Sequence, residues 1–464
     1  MKLWIHWWQA ISNLRPACSR LRSFLWFASV LAAMMVRGDL LGVTSLVRAL
    51  GLKEICYDRI LDFFHSSAVD LQTLTRLWVT LVLKIFDLYT VHGRLILLGD
   101  GIKAAKEGKK MPAVKLLHQE STTNSKPAYI MGHSCQALAL LGKALDGFFA
   151  IPLISRIHEG LIFSNRDQRT LLDKMILLIQ SLGIPLSFYL VADAFYASRR
   201  FVQSLLSMGS HLISRVRINA VAYEPPPPAT KRKGRRKTYG KKIHLRSVFE
   251  QKEIFEEAPS PIYGERGVQV RFRSLDLLWR PVGILIRFVW VIHPIRGRII
   301  LMSTDIGLPP LEILHLYGLR FKIELSFKQA LRVLGTYAYH FWMKNMVPIR
   351  RGTGNQHLHR KSEEYRRGVR RKIEAYHRYI QVGLIAQGLL QYLSSSFPKL
   401  VWSCFGSWIR TIRPGICPSE QVTAYALRNT LPEFLAGSPR DSILTKFLLE
   451  RIDFNRAEGL RLAG

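Results

Sequence analysis

Three acidic residues stand where chemistry can be done. Asp100 closes the apolar run Arg94-Leu-Ile-Leu-Leu-Gly-Asp, and Asp193 closes Phe188-Tyr-Leu-Val-Ala-Asp. Glu324 lies within Tyr317-Gly-Leu-Arg-Phe-Lys-Ile-Glu-Leu-Ser-Phe-Lys, a basic segment of helical character. Acids are scarce here: 67 Lys and Arg face 33 Asp and Glu, a formal net charge of +34. Carboxylates at the ends of core elements suit hard divalent cations such as Mg²⁺ or Mn²⁺, which prefer oxygen ligands. Two such ions ~3.5–4 Å apart can activate an attacking oxygen and stabilise a leaving one in a phosphoryl displacement.

The charge excess points to a polyanionic partner, nucleic acid first and an anionic membrane surface second. At 464 residues and 48% hydrophobic content the chain can bury a large core, which excludes overall disorder. Its five cysteines, Cys18, Cys56, Cys135, Cys404 and Cys417, include no Cys-x-x-Cys pair. That spacing argues against a disulfide framework or zinc cluster and fits a reducing cytosol, so a cytoplasmic protein is expected, nucleoid-associated if its polyanionic partner is DNA. The apolar run Phe24 to Val36 is shorter than the ~18–20 residues of a spanning helix and reads as a buried helix. No membrane segment is expected.

The elements that must position the acids can be read from periodicity. Residues 1–90 carry apolar residues at helical spacing and form an expected helical N-terminal domain, a candidate for DNA binding. Residues 91–223 read as β-β-β-α-β-α-β, with strands at Arg94 to Ile102, Tyr129 to Leu141, Phe148 to Ile157, Leu186 to Ala192 and His211 to Tyr223. Asp146-Gly147 makes a good hairpin turn between the second and third. This order implies an α/β fold with a mixed sheet covered by helices on both faces. Residues 224–305 hold four prolines, Pro225 to Pro228, a basic run from Lys231 to Lys237, and then a β-rich insertion. The proline-rich basic stretch reads as an exposed loop, contacting a DNA backbone or serving as a solvated linker. A long helix from about Pro310 to Leu334 carries Glu324 within residues 306–345. Residues 346–464 form a basic, helical C-terminal part that opens with Arg350, Arg351, Arg360, Arg366, Arg367, Arg370 and Arg371. Those arginines suit backbone contacts beside a DNA site.

In an RNase H-like fold the first and fourth strands are neighbours and a later helix packs across them, which would bring the three acids together. With these pieces the chain resembles the DDE transposases of bacterial insertion sequences. The subgroup in question is marked by Tyr-x2-Arg-x3-Glu-x6-Lys and a β insertion before the glutamate. Tyr317, Arg320 and Glu324 match that motif, Leu98-Gly-Asp-Gly matches the first-aspartate segment and Val191-Ala-Asp-Ala the second. The resemblance covers roughly residues 90 to 345. It implies that Asp100, Asp193 and Glu324 bind a pair of Mg²⁺ or Mn²⁺ ions and that Tyr317 and Arg320 hold phosphates. It further implies cleavage at terminal inverted repeats of double-stranded DNA, strand transfer, a hairpin step in the subgroup, and a homodimer on paired ends. The chain departs from the motif at Leu331, where lysine is called for. Lys328, one turn after Glu324, or Arg332 could serve instead, and Lys103 lies just past the first aspartate.

Plainer readings stand beside these. An aspartate ending a strand is commonly a turn or helix cap, and Glu324 could pair with Lys328 at i,i+4. Glu107, Asp146, Asp173 and Asp305 fall at the wrong places in the strand order to act as ligands. His133, His158 and His293 read as core or surface histidines, and Trp279 and Trp290 as core residues of the insertion. The same residues also suit an RNase H-like structure-selective nuclease, or a DNA-binding remnant of a transposase without activity.

Overall fold

The computed structural model describes residues 1–119, 127–145, 147–227, 237–406, 411–437 and 442–455. Asp146 of the expected hairpin turn lies outside these residues, as do Pro228 and the basic run Lys231 to Arg236.

Helical spacing of apolar residues folds the start of the chain into α1 (Lys2–Ser12), α2 (Leu21–Val36), α3 (Gly42–Ala49), α4 (Cys56–His65) and α5 (Leu71–Ile85). Asp70 starts α5 by accepting the Thr73 N–H at 2.7 Å, which satisfies one orphan amide of the first turn. Every residue from Phe24 to Val36 is buried, so that apolar run is an interior helix. Among the described residues no helix is long and apolar enough to cross a membrane.

Three antiparallel strands follow, β1 (Arg94–Ala105), β2 (Tyr129–Ala144) and β3 (Gly147–Ile157). The chain then alternates through α6 (Leu171–Leu182), β4 (Phe188–Ala192), α7 (Arg199–Ser207) and β5 (His211–Val216). Strand β4 pairs in parallel with β1, from Leu95 opposite Phe188 to Leu98 opposite Val191, and β5 pairs in parallel with β4. The order β3-β2-β1-β4-β5, with only the first three antiparallel, is that of an RNase H-like sheet. Strand β1 does not stop near Asp100 as its apolar run suggests. It continues to Ala105, held by β2 alone, because backbone pairing needs no apolar side chain.

The insertion does not form a separate lobe. Its strands β6 (Gln269–Trp279), β7 (Ile284–His293) and β8 (Gly297–Ser303) pair antiparallel, and β8 pairs with β5. The result, among the described residues, is one 13-stranded mixed sheet. The base of the proline-rich loop is closed by an antiparallel ladder between Val221–Tyr223 and Lys242–His244. The expected strand from His211 to Tyr223 therefore divides into two.

The expected long helix from Pro310 to Leu334 also divides, into α8 (Pro310–Leu319), α9 (Phe321–Gln329) and a π-helical turn, Ala330–Leu334. Arg320 keeps helical dihedrals, but Arg320 N bonds to Tyr317 O and Ile323 N to Arg320 O. These i→i−3 bonds interrupt the α ladder at that residue. The remaining helices are α10 (Glu363–Ser396), α11 (Pro398–Phe405), α12 (Glu420–Gly437) and α13 (Ile443–Leu449).

Two cores lie on opposite faces of the sheet. On one, Leu95, Leu97, Leu138 and Leu190 pack with N-terminal helices through Trp78 and with α10 through Tyr379 and Leu389. On the other, Ile96, Leu98, Tyr189, Val191 and Ile213 pack under Ile313, Leu316 and Leu319 of α8 and Ile323 of α9. From Ala375 onward α10 is buried on nearly all sides and runs as a spine between the N-terminal helices and β3. Close approach sets one position on it: a Cβ at Gly388 would collide with the Trp78 indole, whose N–H is fixed on Pro152 O at 2.9 Å. Gly388→Ala gains about 1 kcal/mol of helix propensity, while overpacking a tight core costs about 1–3 kcal/mol. The net expectation is a lower denaturation midpoint, measured by urea unfolding; an unchanged or higher midpoint would show that the indole yields.

Candidate active site

Alternate residues of a strand face the same side. Ile96 and Leu98 lie in the core under α8 and α9, so Asp100 follows them on that face of β1. Tyr189 and Val191 lead in the same way to Asp193, and Ile213 leads to Arg215 on β5. Since Leu98 is paired with Val191, the two aspartates two residues further on continue adjacent parallel strands. Asp100, Asp193 and Arg215 thus mark the point where three neighbouring strands run out from beneath the helices. Helices α8 and α9 then deliver Tyr317, Arg320 and Glu324 to the same edge.

Arg320 is the centre of the cluster. Its Nη1 donates to Asp100 Oδ2 at 2.8 Å and its Nη2 to Glu324 Oε1 at 2.8 Å. Glu324 thus pairs backward along the helix with Arg320 rather than forward with Lys328. Asp100 also accepts the Gly101 N–H at 2.8 Å. Asp193 Oδ1 accepts the Phe195 N–H at 3.0 Å and caps the short turn Ala194–Tyr196, while its carbonyl accepts the Ser214 hydroxyl at 2.7 Å. The capping role of a strand-end aspartate is therefore real here, and it fixes the Asp193 backbone beside Asp100.

Burial pushes the Asp100 carboxyl above its ordinary range. Arg320 and the Gly101 N–H pull it back, while the charges of Asp193 and Glu324 push it further up. Burial likewise raises the phenol of Tyr317, which feels Arg320, Arg215 and Asp193. Tyr196 is buried and raised, with Asp100 and Asp193 adding to the effect of burial. Burial works against the Arg320 charge, but Asp100, Tyr317, Glu324 and Asp193 outweigh it and hold the guanidinium above its usual range.

The donor set suits a divalent metal in kind, being three carboxylates of which two already hold a cation. The guanidinium is that stand-in cation, bonded to Asp100 and Glu324. As the side chains stand, no group of three His, Cys, Asp or Glu among the described residues is arranged to hold a metal ion. Arg320 lies between two of the three acids, bonded to Asp100 and to Glu324.

Of the other expected contacts, Lys328 is exposed one turn beyond Glu324, and Leu331 is 42% exposed where the resemblance calls for lysine. Lys103 donates to His118 O at 2.7 Å. Arg366 and Arg370 pair with Glu363 at 2.6 and 2.9 Å, Arg370 also lies over the Phe163 ring, and Arg371 reaches His65 O. Arg367 is exposed on the same turn of helix. None of the four bonds to the acids; their partners lie on α10 itself and on neighbouring segments. Asp173 closes a capping box with Thr170 at the start of α6, and Asp305 accepts the Tyr189 hydroxyl at 2.6 Å. His133 is buried between Tyr339 Oη and Pro112 O, His293 pairs with Glu265, and Trp290 is buried with its N–H on Leu245 O. Sequence reasoning missed Arg215 and Tyr196. The parity of the run His211-Leu-Ile-Ser-Arg could have shown Arg215, whereas nothing local distinguishes Tyr196.

The raised Asp100 pKa fixes the sign of a stability effect. Folding disfavours the ionised form, so the contribution of this group is greatest below its unfolded pKa of about 3.9 and is lost as pH rises through the folded value. In chelator-treated protein, Asp100→Asn should match or exceed the wild-type Tm at pH 7–8, with the gap closing toward pH 4. A lower Tm for the variant at neutral pH would mean that the Arg320 bond outweighs burial.

A family model described as DDE superfamily endonuclease matches residues 19–261, a span that includes Asp100 and Asp193 and ends before Glu324. No curated protein matches the sequence. A solved piggyBac transposase synaptic complex with hairpin DNA aligns over 95% of this chain and 77% of its own. Its identity is 11% and its TM-score 0.37, a likeness too distant to transfer residue roles. With more than half its length matched, and with two of the three clustered acids inside the match, the chain belongs to the DDE superfamily endonucleases.

Proposed function

We propose that this protein is a DNA transposase that cleaves double-stranded DNA at the terminal inverted repeats of an insertion sequence and joins the freed ends to target DNA. One observation supports this reading above the rest. Acids from three distant segments gather round one arginine, at the edge where neighbouring strands emerge from under a helix. In this role Asp100, Asp193 and Glu324 hold Mg²⁺ or Mn²⁺, two ions in the working enzyme. When bound, such ions supply Lewis-acid activation of the attacking oxygen and charge stabilisation of the leaving one.

The chain's own groups do the positioning. Asp193 is held by its cap and by Ser214, so one ligand is set before substrate arrives. The Tyr317 phenol stays protonated at neutral pH and can donate to a phosphate oxygen. Arg215 is exposed beside it, and its planar fork suits phosphate oxygens. In the same reading Lys103, Lys328 and the arginines at the start of α10 contact the DNA backbone. Hydrolysis would leave a 3′-OH, which then attacks a second phosphodiester. A homodimer pairing two ends is the working form in this reading.

Leu331 favours a second reading, a structure-selective nuclease that cuts without joining, because an exposed apolar side chain stands where a phosphate-binding lysine is called for. A strand-transfer assay with end-containing DNA separates the two, since a nuclease gives no joined product. For either enzyme, Asp100→Asn, Asp193→Asn and Glu324→Gln should each lower cleavage roughly 10²–10⁴-fold, ~3–5 kcal/mol of barrier. Undiminished cutting by Asp100→Asn would sink both. Arg215→Ala should weaken duplex binding and reduce the salt dependence by about one phosphate contact, read as the slope of log K against log salt. An unchanged slope would remove Arg215 from the interface.

A further inference from the structure

The family motif that Arg320 matches makes it a phosphate ligand, yet its guanidinium is engaged elsewhere. Both terminal nitrogens donate to carboxylates that the function proposed above assigns to metal, at 2.8 Å each. An entering ion would compete with Arg320 for these two carboxylates, whose Oδ2 and Oε1 the guanidinium now holds. A guanidinium cannot leave by giving up its proton, because it stays charged at any pH the protein survives. It can leave by exchange for another anion of matching shape. A DNA phosphate is such an anion, since two parallel N–H···O bonds to phosphate replace two to carboxylates. Tyr317, which feels the charges of both Arg320 and Arg215, lines the edge where that phosphate would arrive. Arg320 also stands at the joint between α8 and α9, where i→i−3 bonds flank it on both sides.

We propose that Arg320 is an exchangeable counter-ion of the carboxylate site. Without DNA it occupies the place of the metal charge and keeps Asp100 and Glu324 together. On DNA binding it transfers to a phosphate and frees both oxygens, so DNA binding and metal loading are coupled through one side chain. The inference rests on the proposed function for the identity of the metal ligands. It adds an order of assembly: the ion enters a site that the substrate has opened. A purely structural brace is the competing account, and it predicts the opposite sign, since removing a brace would splay the acids and weaken ion binding.

The test is calorimetric titration of Mn²⁺ into full-length protein without DNA, and again with a saturating short duplex. Arg320→Gln should bind Mn²⁺ about tenfold more tightly than wild type without DNA, in the range typical of coupled sites. The gain in Mn²⁺ affinity that the duplex gives wild type should shrink in this variant by a similar factor. By reciprocity, Mn²⁺ should then raise the duplex affinity of wild type more than that of the variant. Arg320→Lys, a single-pronged cation unable to span both acids, should fall between the two, and it decides the matter if Arg320→Gln does not fold. Mn²⁺ binding by these variants as weak as or weaker than wild type overturns the proposal. Asp100→Asn serves as the control. If it leaves Mn²⁺ affinity unchanged, the carboxylates are no ion site and the function reading itself fails.

Discussion

Carboxylates gathered at the edge of an apolar sheet cannot all stay ionised without a compensating cation, because low local dielectric magnifies their repulsion. Asp100 carries the mark of this constraint, its pKa raised by burial and by the charges of Asp193 and Glu324. Arg320 is the fold's answer. Its two hydrogen bonds join a strand residue to a helix residue 224 positions along the chain. Much of the architecture serves to bring that guanidinium and those acids to one place.

Two structural devices do so. The first is the parallel pairing of β1 with β4, which sets the aspartates on adjacent strands and on the same face. The second is the crossing of α8 and α9 over that face, anchored by Ile313, Leu316, Leu319 and Ile323. The insertion between β5 and α8 takes no part in the cluster, yet it lengthens the sheet through β8 and so braces the strand that carries Arg215. On the far face, α10 and the N-terminal helices fill the larger core and hold the sheet rigid. Precision at the edge thus depends on apolar packing on both sides.

Several parts of this were legible beforehand. The β-β-β-α-β-α-β order and the two aspartates appear in the chain as apolar runs ending in acid, and the Tyr317-Arg320-Glu324 spacing singles out one glutamate. Other parts were not legible, each for its own reason. The extension of β1 to Ala105 depends on ladder bonds to β2, which leave no hydrophobic signature. The break between α8 and α9 falls within a run of helical apolar periodicity, and Gly318, a weak helix former two residues before it, does not by itself mark a helix end. The arginines at the start of α10 read as one basic face, but two of them are bound by Glu363, a pairing that only side-chain geometry selects. Tyr196 is set beside the acids by a turn that Asp193 caps, and the sequence has no way to announce that neighbour.

Taken alone, the sequence determined the identity and order of the acids, the element types that carry them, and the positive charge that suits a polyanion. Those properties are local, written in periodicity and composition, and do not require knowing which segments meet. The tertiary structure decided what stands between the acids. Arg320 matched a motif as a phosphate ligand, and folding gave its two terminal nitrogens to Asp100 and Glu324 instead. That outcome depends on distances across a strand and a helix remote in the chain, and electrostatics at such distances is fixed only when the chain has closed on itself.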